Sequence, residues 1–90
     1  MSVSKEFTIV NKLGLHARAS ATLVRVASKY AAEVTIAKDG QQVNGKSILG
    51  MMTLAAAQGT TVQVICKGDD EQAAIEAIGA CIADRFGEGE

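Results

Sequence analysis

Scarcity marks this 90-residue sequence before anything else does: no proline, no tryptophan, one tyrosine, two phenylalanines, two cysteines and one histidine. The aromatics Phe7, Tyr30 and Phe86 each fall at a core-like position of their own element, so no base-stacking platform is visible and nucleic acid is a weak candidate partner. Cys66 and Cys81 are too few and too far apart for a metal cluster or a disulfide framework. Both sit at apolar positions and read as buried thiols of a reducing compartment. No apolar run approaches the roughly 18–20 residues of a membrane span. The start, Met1 to Glu6, lacks the basic-then-apolar pattern of a secretory signal, so a cytoplasmic address without membrane insertion is expected. The missing proline by itself excludes little.

What is present is ordinary for a small globular domain: 48% apolar and 21% charged residues, with a net charge of −1. The charge is unevenly placed. Through Gly50 there are seven bases against three acids, and from Met51 on there are two bases against seven acids. The single histidine, His16, lies in the basic half, which favours an anionic ligand or an acidic partner.

Taken in order, Phe7-Thr8-Ile9-Val10 reads as a first strand broken by Asn11 to Gly14. From Ala17 to Tyr30 the positions Ala19, Leu23, Val26, Ala27 and Tyr30 form an apolar stripe at helical spacing. Ala17, Ala21 and Val24 make a second stripe beside it that starts next to His16. Glu33 to Lys38 is a second strand, Asp39-Gly40 a two-residue hairpin signal, and Gln41 to Val43 a third strand. Ser47 stands as N-cap of a helix from Ile48 to Ala55, which Gln58-Gly59 ends. Thr61 to Cys66 is the fourth strand. A last helix follows Gly68-Asp69-Asp70, with acids at its positive end and a stripe of Ala74, Ile75, Ile78, Cys81, Ile82 and Phe86. The order βαββαβα predicts an open two-layer α+β sandwich, one domain over 1–90 with 87–90 as a frayed tail.

His16 falls at the first turn of the first helix. There the amides of Ala17, Arg18 and Ala19 lack helical partners, and the helix dipole favours an anion. A free imidazole titrates near 6.5, so a neutral ring nitrogen is an available nucleophile at neutral pH. Arg18 can offer a planar fork of donors to phosphoryl oxygens. No metal cluster, second histidine or sequence-adjacent carboxylate completes a hydrolytic site, and no cofactor is implied. This suits a group carrier better than a turnover enzyme. The competing readings are a histidine that merely caps a helix in an interaction module, and a domain that binds an anion or metal.

The run Gly14-Leu15-His16-Ala17-Arg18 closely resembles the active-site motif of the histidine-containing phosphocarrier family, HPr. The run Asn44 to Leu54, with Ser47 inside it, resembles that family's regulatory serine segment. The resemblance implies a four-stranded antiparallel sheet of order 1-4-2-3 with three helices on one face. It implies that enzyme I, a phosphoenolpyruvate-dependent kinase, phosphorylates His16 on Nδ1, and that an enzyme IIA domain of the sugar phosphotransferase system accepts the group. The nitrogen-related regulatory branch, whose carrier shares both signatures, is the alternative. The resemblance also implies phosphorylation of Ser47 by HPr kinase/phosphorylase. Partners are expected on Ser20, Ala21, Val24, Arg25, Lys46, Ile48, Leu49 and Met52, with Met51 and Leu54 packed inward and the protein monomeric. Ala19 stands where the family commonly has proline, which puts the rate of transfer in question more than its existence.

Overall fold

A computed structural model describes residues 1–89. Its elements are β1 (Val3–Thr8), α1 (Ala17–Ala27), β2 (Glu33–Lys38), β3 (Gln41–Asn44), α2 (Ile48–Leu54), β4 (Thr61–Lys67) and α3 (Glu71–Ala83), followed by a short turn, Arg85–Gly87. The strands pair antiparallel in the order β1-β4-β2-β3, with all three helices on one face. The expected α+β architecture is the observed one.

Alternation along the strands sets the two faces of the sheet. Val62, Val64 and Cys66 of β4 and Val34 and Ile36 of β2 are buried, while Thr61, Gln63 and Lys67 between or beside them are exposed. The register places Val34 opposite Cys66 and Ile36 opposite Val64, so the apolar positions stack into one layer. Against it lie Ala19, Leu23 and Ala27 of α1, Met51 and Leu54 of α2, and Ala74, Ile75, Ile78 and Ile82 of α3. Each large side chain of this layer contributes about 1.5–3 kcal/mol by leaving water. Cys66 is buried and Cys81 half-buried, and desolvation pushes the pKa of both thiols up. Phe86 is buried, but Phe7 and Tyr30 only pack partly against the core.

The hairpin signal at Asp39-Gly40 is met by positive φ at both residues, 50° and 84°, the backbone that a tight two-residue turn requires. Other boundaries differ from the sequence pattern for identifiable reasons. β1 begins at Val3 and not at Phe7, because pairing with the central strand β4 extends through the polar residues Ser4 to Glu6. α1 stops at Ala27 although its apolar stripe runs on to Tyr30. There the Asp70 carboxylate accepts from the amides of Ala31 and Ala32, both at 2.8 Å, and draws the chain into β2. Those two bonds, the Ala31 amide foremost, also hold the Asp70 carboxyl below the usual carboxylate range. α2 ends not at Gly59 but at Ala55, which takes a left-handed conformation (φ 52°, ψ 42°).

The tail, expected to fray over 87–90, follows α3 through a chain reversal, and Glu90 lies outside the described residues. Arg85 and Phe86 both adopt positive φ, 56° and 55°, which reverses the chain after α3. Burial of Phe86 holds that reversal in place, and Glu88 is carried back over the start of α1.

Candidate functional site

The loop before α1 is built to fix where that helix begins. Ile9 is tied to the β4 side by its amide to Thr60 O (2.9 Å) and its carbonyl to the Gly59 amide (2.8 Å). Gly14 turns the chain at φ +68° and passes so close to Ala56 and Ala57 that a side chain has no room there. Leu15 is buried, and its amide donates to Ala56 O at 2.9 Å. His16 follows as N-cap in extended backbone, with no capping bond from its own side chain. The first helical bond runs from the Ser20 amide to His16 O (2.8 Å). The amides of Ala17, Arg18 and Ala19 therefore have no helical partner, as the sequence predicted, and the positive end of the dipole lies with them.

The His16 side chain is 26% exposed, enough for a partner to reach the ring. Its Nε2 is hydrogen-bonded to Glu88 Oε2. Arg18 is 75% exposed, and its Nε makes a long contact of 3.4 Å with the same carboxylate oxygen. An exposed contact of that length is worth little, so the guanidinium remains available. Glu88 Oε1 accepts from Asn11 Nδ2 at 2.9 Å, and the same nitrogen donates to Gly14 O at 2.8 Å. Asn11 is fully buried. Its amide hydrogen bond, with those of His16 and Arg18 adding to it, holds the Glu88 carboxyl below its ordinary pKa despite partial desolvation. Among the described residues no cluster of His, Cys, Asp and Glu could hold a metal ion.

Asn11 and Glu88 are the site residues that sequence reasoning missed. Glu88 lies 72 positions from His16, and nothing in local spacing pairs them. The available signal was Phe86, an apolar residue whose burial anchors the tail.

Beside His16 a shallow groove of about 330 Å³ runs between Leu13, Ala17 and Met52. It joins the histidine to an exposed apolar patch in which Leu49 is 75%, Ile48 44% and Met52 43% accessible. Met51 and Leu54 of the same helix are buried, the division that the resemblance implied. Leu13, also exposed, lines the same groove. Ala21 and Val24 are half-buried and Arg25 is exposed on α1. Two further residues expected to meet partners are bonded within the fold. Ser20 is fully buried and donates its hydroxyl to Leu15 O at 3.2 Å, so it braces the helix start. Lys46 is half-buried with its ammonium 2.6 Å from Tyr30 O, a tether for the end of α1. Ser47 caps α2 as expected, its Oγ accepting from the Gly50 amide at 3.0 Å.

A family model described as the PTS HPr component phosphorylation site matches residues 3–84. The chain belongs to the HPr family. Among its relatives, the phosphocarrier protein HPr of Cupriavidus necator is 51% identical over 88 residues, covering 98% of this chain and 99% of the relative. The phosphocarrier protein HPr of Pseudomonas aeruginosa is 45% identical over 86 residues, covering 94% and 96% of the two chains. The crystal structure of HPr-C-His from Thermoanaerobacter tengcongensis superposes with a TM-score of 0.93 at 42% identity, over 98% and 99% of the two chains. HPr proteins pass a phosphoryl group between enzyme I and enzyme IIA through a histidine. This chain is a phosphocarrier of that system and not an enzyme that turns over a substrate alone.

Proposed function

We propose that His16 is the phosphoryl-carrying residue. It takes the group on Nδ1 from enzyme I and yields it to an enzyme IIA domain. The observation that carries this reading is positional. The one histidine of the sequence sits, partly exposed, at the amide-rich start of α1 and beside an exposed apolar patch. The Nδ1 lone pair forms the bond to phosphorus while the bond from phosphorus to the donor breaks, leaving its electron pair on the donor. The amides of Ala17, Arg18 and Ala19 and the Arg18 guanidinium then hold the phosphoryl oxygens, with about 1.5–3 kcal/mol for each hydrogen bond to charge.

Docking falls to Ile48, Leu49 and Met52, with Ala21, Val24 and Arg25 along the adjoining helix face. The exposure of an apolar patch next to the reacting residue supports this. Arg25 steers an acidic partner. Ser47, next to that patch, is the candidate for regulatory phosphorylation by HPr kinase/phosphorylase, whose added charge would repel an acidic partner. The protein acts as a cytoplasmic monomer. No helix among the described residues is long and apolar enough to cross a membrane. Transfer assays against a sugar-branch and a nitrogen-branch enzyme IIA separate the two pathways.

Incubation with phosphoenolpyruvate and enzyme I tests the reading. An acid-labile, base-stable phosphate is expected on the wild-type chain and is absent from His16→Ala. Wild-type protein that takes no label sinks the proposal.

A further inference from the structure

Ser20 lies one turn into α1 and is fully buried, at a place where alanine would suit both the helix and the core. Its hydroxyl does not take the carbonyl four residues back, the usual choice of a helical serine. That carbonyl, His16 O, already accepts the Ser20 amide at 2.8 Å. The hydroxyl reaches one residue further and donates to Leu15 O at 3.2 Å. Leu15 is itself buried, and among the described residues its carbonyl has no other partner. The His16 amide donates to Gly14 O at 2.9 Å. The peptide between Leu15 and His16 is therefore held at its carbonyl by Ser20 and at its amide by Gly14.

A second donor stands close to the same carbonyl. A helix bonds each amide to the carbonyl four residues before it, and counted from Ala19 that carbonyl is Leu15 O. The bond is not made because His16 is extended, with ψ −177°. Turning this one dihedral to a helical value of about −42° would wind α1 back by one residue while keeping the bond from Ser20 N to His16 O. It would occupy the Ala19 amide and swing the Ala17 amide relative to the imidazole. The competing arrangement is one dihedral away, and it exists only because residue 19 is not a proline, which has no N–H.

We propose that Ser20 is a positioning residue for phosphoryl transfer through His16: by bonding the Leu15 carbonyl it keeps α1 from winding back over the histidine and leaves the Ala19 amide free for the phosphoryl oxygens. This rests on the carrier reading above. With Ser20 in place, the buried carbonyl is satisfied without help from the helix, and the amides of Ala17, Arg18 and Ala19 all stay open. Without the hydroxyl, Leu15 O is a buried acceptor with no partner, a costly state. The nearest remedy is then the Ala19 amide, and the site loses a donor to the phosphoryl group together with the present angle between ring and helix.

The test uses the full chain, as wild type, Ser20→Ala, Ala19→Pro and the double variant. Transfer from phospho-enzyme I to saturating Ser20→Ala should slow about tenfold, with KM little changed because the docking patch on α2 is untouched. Amide exchange followed by ¹⁵N–¹H spectroscopy gives the signature of the mechanism. In Ser20→Ala the Ala19 amide should exchange at least several-fold more slowly than in the wild type, and its shift on phosphorylation of His16 should shrink. Simple loosening of the helix would do the opposite and speed exchange. Ala19→Pro removes the competing donor, so adding Ser20→Ala to it should slow transfer by less than twofold beyond Ala19→Pro alone. A Ser20→Ala variant that transfers as fast as wild type overturns the proposal. So does a slowed Ser20→Ala whose Ala19 amide gains no protection, or one whose full slowing recurs on the proline background, since the hydroxyl would then act only as packing. Failure of the carrier reading looks different, because the wild type itself would take no phosphate.

Discussion

Substituting Gly14 by alanine isolates how tightly the histidine loop is held. Two costs act at once. The backbone is at φ +68°, where a non-glycine residue costs roughly 1–2 kcal/mol. The added Cβ would also lie inside contact distance of the Ala56 carbonyl oxygen and 2.9 Å from Ala57 Cα. Both are backbone atoms that cannot swing aside, and forced overpacking adds about 1–3 kcal/mol. Gly40 supplies the control, since its φ is +84° with nothing within 4 Å of a built Cβ. Gly40→Ala should therefore show the conformational cost alone. Gly14→Ala should lose roughly 2–5 kcal/mol, on the order of 10–30 °C in melting temperature for a domain of this size. Urea denaturation of both variants measures the difference, on the order of 1 M between midpoints. Relief of the clash must move Leu15 away from Ala56 and with it the start of α1, so transfer through His16 should slow in Gly14→Ala and not in Gly40→Ala. Equal midpoints for the two variants would refute the close-contact argument.

Three further expectations use other parts of the molecule. Ser47→Ala removes the bond to the Gly50 amide and should cost about 0.5–2 kcal/mol by thermal unfolding, while Ser47→Asp should slow transfer from enzyme I far more than Ser47→Ala does; equal rates would count against regulation at this position. Leu49→Asp alters a side chain that is 75% exposed, so stability should stay within about 0.5 kcal/mol while KM for enzyme I rises at least several-fold; an unchanged KM would remove this patch from the docking face. Asp70 has a folded pKa below its unfolded value, so its contribution to stability is present above the unfolded carboxylate range and fades as pH falls through the lower folded value. Asp70→Ala should accordingly be less stable than wild type near pH 7 and approach it in acid, and a stability gap that persists unchanged at low pH would rule out the ionised carboxylate as its source.

Local pattern alone carried the element order, because alternation at period 2 and the apolar stripe at helical spacing are properties of neighbouring residues. The hairpin at Asp39-Gly40 and the cap at Ser47 were legible for the same reason: each is a bond or a dihedral within four residues. The free amides beside His16 followed from where the first helix starts. Long-range partners decided the rest. α1 ends where Asp70 takes the amides of Ala31 and Ala32, 39 and 38 positions away, and β1 gains its polar start from β4. Burial turned Ser20 inward, and the Lys46 ammonium donates to the Tyr30 carbonyl, 16 positions away. The left-handed turn at Ala55 has no glycine to announce it, and Arg85 and Phe86 take that conformation ahead of Gly87. The sequence by itself determined that one histidine begins a helix with open amides. Only the tertiary structure placed a carboxylate on that histidine, because the residues that hold Glu88 meet through the buried face of the fold and not along the chain.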